Sequence, residues 1–298
     1  VKVWLKNHMI ETENVKEKLP ISVIILTYNE EDNIEKCLKS VYSWTDEVFI
    51  VDSFSTDKTL EIVKKYTDKI YQHEFTNYSE QRNWAQKNLP LKNELVFHID
   101  ADEWVTDGLK KELFKIFQKG EFKRYDGFLI SRKTIFYGKW IKHGGHFPRY
   151  HLRIFKKHKG RCEKREYDQH FIVEGNIKKL KSVIVNDLTQ EISEFIKKHL
   201  KWAKFEAETI VREKQGEIVP SFKGNPVQKM RWLRKNIYGK MPLFIRPFLY
   251  FFYRYFIRLG FLDGVEGLIF HFIQGFWFRF MVDVKIWEMK KAKIELKC

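Results

Sequence analysis

The stretch Phe97-His98-Ile99-Asp100-Ala101-Asp102-Glu103-Trp104 joins an apolar run to three carboxylates. Negative charge at the end of a buried strand is costly unless something pairs with it. A salt bridge, a helix N-terminus and a metal are the three candidate partners. Asp100 and Asp102 are two residues apart, so in an extended chain their side chains point the same way. Such a pair suits a hard divalent cation. Mg2+ keeps several waters and takes one or two carboxylates together with the phosphates of a ligand. Capping is the competing reading, because acids just ahead of Thr106 favour a helix start. A two-acid motif arises by chance in many chains, so its spacing alone decides nothing.

Two more polar clusters offer chemistry. Thr27-Tyr28-Asn29-Glu30 follows one apolar run, and Asp52-Ser53-Phe54-Ser55-Thr56-Asp57 follows another. A carboxylate at Asp52 can accept from a base N–H or a ribose hydroxyl, although it can equally serve a turn. Arg82, in Gln81-Arg82-Asn83, can meet a phosphate with two parallel hydrogen bonds. No G-x-G-x-x-G follows the first apolar run and no Walker A sequence occurs, which disfavours a dinucleotide-dependent dehydrogenase and a P-loop NTPase. A bound nucleotide diphosphate would then need a metal and basic side chains.

The elements that must position these groups are legible. Residues 21–26 form a short β-branched run, apolar on both faces, as a buried parallel strand requires. Ile34, Leu38 and Val41 then recur at helical spacing. A strand over 47–51, a helix carrying Leu60, Ile62, Val63 and Tyr66, a short strand near 70–71, a helix over 78–87, a strand over 95–99 and a helix over 106–117 follow. This alternation predicts an α/β fold with a mostly parallel sheet covered by helices. Ligands of such sheets sit outside the carboxyl ends of the strands. The three clusters lie at three such ends and should converge at one rim.

Beyond residue 127 the pattern shifts to short β-like runs at 128–130, 152–155 and 183–185, with a basic, Gly-rich loop over 138–149. A long amphipathic helix is expected over 192–213, and Gly216, Pro220, Gly224 and Pro226 mark a linker. The division reads as a leader over 1–20, a catalytic domain over 21–220 and a basic, aromatic, helical region over 221–298.

Composition sets the boundaries. The 298 residues are 44% hydrophobic and carry a formal charge of +16, so a core is affordable and an anionic partner is expected. Residues 221–298 hold 15 Lys+Arg against 5 Asp+Glu, and their aromatics are dense. Two roles fit that region: a subdomain whose aromatics pack inward, or an interfacial anchor with aromatics at the acyl boundary and cations such as Arg246, Arg254 and Arg258 toward anionic headgroups. Phe-rich runs with scattered Arg suit a membrane face better than a phosphate-tracking groove, so nucleic acid is not expected. Cys37, Cys162 and Cys298 make no metal spacing or disulfide framework. No signal peptide and no apolar stretch of about 18 residues is visible. The expected place is the cytoplasmic face of the cell membrane, held peripherally. Oligomeric state leaves no signal in the sequence.

Taken in order, residues 21–30, Val51-Asp52-Ser53-Phe54-Ser55-Thr56-Asp57-Lys58-Thr59, Gln81-Arg82-Asn83 and Asp100-Ala101-Asp102-Glu103 resemble glycosyltransferase family 2 over about residues 20 to 120. The run from Pro242 through Gly260-Phe261-Leu262-Asp263-Gly264 to Gln274-Gly275-Phe276-Trp277 is similar to lipopolysaccharide-core and surface-polysaccharide members. The resemblance implies the GT-A fold, a Rossmann-like α/β domain, and inverting transfer from a nucleotide sugar, here a UDP-sugar. It implies that Thr27, Tyr28, Asn29, Glu30 and Asp52 line the nucleoside pocket and that Arg82 approaches the diphosphate. Asp100 would sit near the ribose or the waters of the metal, Ala101 would belong to the nucleotide-sugar site, and Asp102 would hold Mg2+ or Mn2+. The sequence departs from the family where Phe54 replaces a usual glycine.

Inverting transfer is one displacement and needs a base across the sugar from the leaving group. The family's usual Glu-Asp pair is absent here. Glu166-Tyr167-Asp168-Gln169-His170 resembles an Asp-Gln-His variant, which makes Asp168 the expected base, Glu166 its reserve and His170 a third metal ligand or a phosphate contact. A hexose, glucose first, passing to a lipopolysaccharide-core or other lipid-linked glycan is the expected reaction. A polyprenyl-phosphate sugar synthase is the enzymatic alternative, and a basic membrane- or nucleic-acid-binding module the non-enzymatic one.

Overall fold

The computed structural model describes residues 18–165, 168–189, 191–212 and 217–295. The expected leader falls almost wholly outside them, as do Glu166 and Cys298.

The first half alternates as the apolar spacing requires: β1 (Leu19–Thr27), α1 (Ile34–Val41), β2 (Thr45–Asp52), α2 (Thr59–Val63), β3 (Ile70–Gln72), α3 (Tyr78–Asn88), β4 (Leu95–Asp100), β5 (Glu103–Val105) and α4 (Asp107–Gln118). The second half adds β6 (Gly127–Phe136), β7 (Lys139–Trp140), β8 (Tyr150–Lys156), β9 (Gly160–Cys162), β10 (Phe171–Val173), β11 (Ile177–Asp187) and α5 (Ile192–Val211). The main sheet runs β3-β2-β1-β4-β8-β6-β11-β5. Its β3-β2-β1-β4 half is parallel. The later strands follow tight loops rather than helices, so β8 pairs antiparallel with both β4 and β6, while β11 is parallel to β6 and antiparallel to β5.

Side-chain alternation splits the core across the two faces of β1. Val23 and Ile25 pack with Ile34, Leu38 and Val41 of α1 and with Leu109 and Leu113 of α4. Ile24 faces the other way, onto Ala85 and Leu89. Every strand end that carries an acid is therefore anchored by buried apolar residues on both sides.

Residues 221–295 include α6 (Pro226–Asn236), α7 (Arg246–Phe252), a π-helical turn (Tyr253–Ile257), α8 (Gly264–His271), a second π-helical turn (Phe272–Trp277) and α9 (Phe278–Glu295). Phe278, Val282 and Ile286 of α9 pack on Ala203 and Ala207 of α5. The 138–149 loop docks on the same region. Gly144 stands at φ +66°, where a Cβ would overlap His271. Its N–H donates to the Arg258 carbonyl at 2.9 Å, and its own carbonyl accepts from Arg254 Nε at 2.9 Å.

The expected cationic face of this region does not form from Arg246 and Arg254. Arg246 is buried against Asp283, and Arg254 is 8% exposed. Guanidiniums with internal acceptors turn inward, and apolar side chains are left outside. Ile245, Phe248, Leu249, Phe252, Phe256 and Ile257 are all about half exposed or more.

Candidate active site

The rim at the ends of β1, β2 and β4 is closed by polar contacts. Ser53 N–H donates to the Thr27 carbonyl at 2.9 Å, continuing the β1–β2 pairing past the strands. Asn29 takes a left-handed backbone (φ 53°), its N–H donates to Ser55 Oγ at 2.9 Å, and its Oδ1 accepts from the Thr56 N–H at 2.8 Å. Phe54 also lies in the left-handed region, at φ 60°. It keeps the backbone shape that glycine would adopt, at a cost of about 1 kcal/mol. Tyr28 and Phe54 project from this rim, 60% and 54% exposed.

Asp52 ends β2. It is fully buried, and its carboxylate accepts from Thr27 Oγ1 (3.0 Å), Ser55 N–H (2.9 Å), Ser55 Oγ (2.5 Å) and Gln72 Nε2 (3.4 Å). With these bonds Asp52 ties the loop after β2 to the ends of β1 and β3. Thr27, 3% exposed, is enclosed with it.

At the end of β4 the partner of the buried charge is arginine. Arg82 Nη2 donates to Asp100 Oδ1 at 2.9 Å. Arg153 Nη2, from β8, donates to Asp100 Oδ2 at 2.9 Å and to Glu103 Oε1 at 2.7 Å. Arg132 Nη1 stands 3.6 Å from the same Glu103 oxygen. Burial works against the Asp100 charge, yet Arg153 and Arg82 hold its carboxyl well below the usual range. Burial dominates at Glu103 and pushes it up to about 7. The acids are not helix caps: Thr106 caps α4, accepting from the Leu109 N–H at 3.3 Å. Ala101 is buried at 4% exposure and offers no side chain to a ligand. Arg82 is engaged with Asp100 and lies over the Tyr78 and Phe171 rings.

The chain turns after Asp100, so Asp102 leaves the strand line and escapes the arginine pairing. Burial, then the Asp100 charge, raise its carboxyl pKa, while Lys198, Arg132 and Asn186 pull it back. Glu30 is raised too, by burial and then by Asp102 and Asp100, against the Asn33 hydrogen bond and Lys198. β1 and β4 end side by side, as the topology predicts, and the Glu30 and Asp102 charges act on one another there. A divalent cation would relieve that repulsion. The described residues offer no group of three His, Cys, Asp or Glu able to hold a metal. The donor set therefore fits a cation bound by Asp102 and otherwise by water and ligand phosphate. His170 Nε2 lies 3.6 Å from Asp168 Oδ1.

Asp168 is half-buried with a left-handed backbone (φ 55°). Arg234 Nη1 donates to its Oδ2 at 3.0 Å, and Arg231 Nη2 to its carbonyl at 3.0 Å. Burial opposes the charge, but Arg234 and His170 hold the carboxyl well below its usual range. His151, on β8, stacks its ring on that of His170 at 6.1 Å.

Arg153, Arg132, Arg231 and Arg234 escaped the sequence reading. Arg153 had a signal, a lone charge inside Leu152-Arg153-Ile154-Phe155. The α6 pair had none beyond the general basicity of its region. A cavity of about 400 Å3 lies beside α3, lined by Asn83, Gln86, Lys157 and Arg161, and holds none of the strand-end acids.

A family model described as glycosyl transferase family 2 matches residues 22–177, just over half of the chain. An uncharacterised glycosyltransferase of Rickettsia typhi is 35% identical over 118 residues, 40% of each chain. The lipopolysaccharide core biosynthesis glycosyltransferase LpsC of Rhizobium meliloti is 30% identical over 165 residues, 54% of this chain and 60% of that one. The chain thus spans about two fifths of the length of the rickettsial relatives. Among solved structures, S. aureus TarS in complex with UDP is a distant likeness, 17% identical with a TM-score of 0.43 over 91% of each chain. The matched span starts in β1, ends in β11 and takes in all three strand-end clusters and the Asp168 loop: this chain belongs to glycosyl transferase family 2.

Proposed function

We propose that the chain is an inverting glycosyltransferase that moves a hexose, glucose first, from a UDP-sugar to a lipid-linked surface glycan such as a lipopolysaccharide core. The observation that carries the reading is the meeting of the β1, β2 and β4 ends at one rim, where Ser53 N–H donates to the Thr27 carbonyl and Asp102 lies just past the Arg82–Asp100–Arg153 pairs. Asp102 would hold Mg2+ or Mn2+, which, when bound, stabilises charge on the departing diphosphate. Tyr28 and Phe54, the exposed aromatics of the rim, are suited to stack on a nucleobase. Asp168 is the proposed base: Arg234 keeps it ionised, and it is open enough to meet an acceptor hydroxyl.

The half-exposed apolar side chains of α7 and the first π-helical turn support peripheral attachment to the cytoplasmic face of a membrane. No helix among the described residues is long and apolar enough to cross a membrane. Calorimetric titration with UDP, with and without Mn2+, followed by a screen of UDP-, GDP- and CMP-sugars, tests the reading. Metal-dependent UDP binding is expected; its absence would sink it.

A further inference from the structure

The turn that carries Asp102 is held from both ends by one side chain. β4 stops at Asp100 and β5 starts at Glu103, so only Ala101 and Asp102 lie between the two strands. Arg153 enters from β8. A single nitrogen of its guanidinium, Nη2, donates to Asp100 Oδ2 at 2.9 Å and to Glu103 Oε1 at 2.7 Å. The other Glu103 oxygen, Oε2, accepts from the Asp100 N–H at 3.2 Å. These contacts close a ring: Arg153 to Asp100, Asp100 to Glu103, and Glu103 back to Arg153. The backbone of the turn is fixed as well. The Asp100 carbonyl accepts from Cys37 Sγ at 3.6 Å, the Asp102 carbonyl accepts from the Asp187 N–H at 3.4 Å, and Ala101 packs into the core.

Charge balance does not account for the link. Each acid has a cation of its own: Arg82, from α3, stands 2.9 Å from Asp100, and Arg132, from β6, stands 3.6 Å from Glu103. What Arg153 adds is the connection between the two ends of the turn. The connection is also buried, with Glu103 at 1% and Arg153 at 5% exposure, so water competes little for its hydrogen bonds. A cation held by one carboxylate, water and ligand phosphate depends on how firmly that carboxylate is aimed, because the groups behind a metal ligand set its orientation.

We propose that Arg153 and Glu103 are positioning residues for the metal ligand: their pairing sets the turn from Asp100 to Glu103 so that the Asp102 carboxylate meets the cation without rearrangement. This rests on the reading of Asp102 as the metal ligand. Because one nitrogen makes both bonds, the turn needs a cationic donor at that point rather than the whole guanidinium fork. A lysine ammonium at position 153 serves it in part.

The test is calorimetric titration of the full chain with UDP over a series of Mn2+ concentrations, and again in EDTA. Glu103→Gln keeps the volume of the side chain and puts an amide nitrogen where one of the two acceptors stood. In Glu103→Gln and in Arg153→Met, the Mn2+ concentration that half-saturates UDP binding should rise about ten-fold. UDP affinity in EDTA should stay at the wild-type value, and Arg153→Lys should recover part of the loss. A pair that only stabilises the fold would lower the melting temperature and leave the Mn2+ requirement of the folded protein at its wild-type value; that result overturns the positioning role. If Arg153→Met does not fold, Glu103→Gln and Arg153→Lys decide the matter by the same reading. Asp102→Asn reads the other hypothesis separately. Wild-type Mn2+ dependence in Asp102→Asn removes the metal reading and the positioning role with it. Mn2+ dependence lost in Asp102→Asn but unaltered in Glu103→Gln removes the positioning role alone.

Discussion

Arg231 of α6 grips Glu163 with both prongs of its guanidinium, Nη1 to Oε1 and Nη2 to Oε2, each at 2.6 Å, with Glu163 fully buried and Arg231 7% exposed. The same guanidinium reaches the Asp168 carbonyl, so one buried ion pair ties the C-terminal region to the loop that carries the proposed base. Removing Arg231 strands a buried carboxylate. Arg231→Ala should cost about 3–5 kcal/mol of stability in urea denaturation. The double variant Arg231→Met with Glu163→Leu should recover most of it, because no orphan charge then remains.

Asp168 makes a sharper kinetic prediction. Asp168→Asn should lower transfer about 10^2- to 10^4-fold while UDP still binds. Arg234→Met removes the cation that depresses the Asp168 pKa. The acid limb of the pH–rate profile should therefore move to higher pH. An unmoved limb would show that another group titrates.

Asp102→Asn should weaken UDP binding about ten-fold or more in Mn2+ and leave it unchanged in EDTA. Asp100→Asn should act on stability as well, because Arg82 and Arg153 both lose a charged acceptor.

Acid should destabilise the fold as its buried histidines are forced to take up protons. Burial lowers His98 to about 3 and His199 and His271 to about 4. Their folded values lie below the unfolded value near 6.5, so the unfolded chain takes up protons first. Stability is full above about pH 6.5 and is lost as pH falls toward those folded values. At pH 5.5 each histidine costs on the order of 1 kcal/mol. Glu103, raised to about 7, works the other way, since acidification relieves its buried charge. Glu30 and Asp102 are raised with Glu103, but His146 and His151 are held low by burial too, and five histidines outweigh three carboxylates, so melting temperature should drop between pH 7 and pH 5.

The exposed aromatic face predicts membrane behaviour. Replacing Phe248, Phe252 and Phe256 together by Ser should abolish flotation with anionic vesicles, each side chain being worth about 1.5–3 kcal/mol when fully buried. Because Arg246 and Arg254 point inward, added salt should weaken binding less than loss of these rings does.

The α/β alternation, the extents of β1, α1, α3, β4 and α4 to within a residue or two, and the convergence of three clusters at one rim were all legible in the sequence. A buried parallel strand and an amphipathic helix announce themselves through spacings of two to four residues, and such patterns are local. The partners of the charges were not legible. Arg153 reaches Asp100 and Glu103 only because β8 inserts beside β4, and Arg231 and Arg234 reach Glu163 and Asp168 only because α6 folds back over more than sixty residues. Asp52 turned inward because Thr27, Ser55 and Gln72 converge on it from three elements. Local periodicity determined where the acids stand. Strand order and long-range docking decided which of them are paired with arginine and which, Asp102 above all, stand outside those pairs.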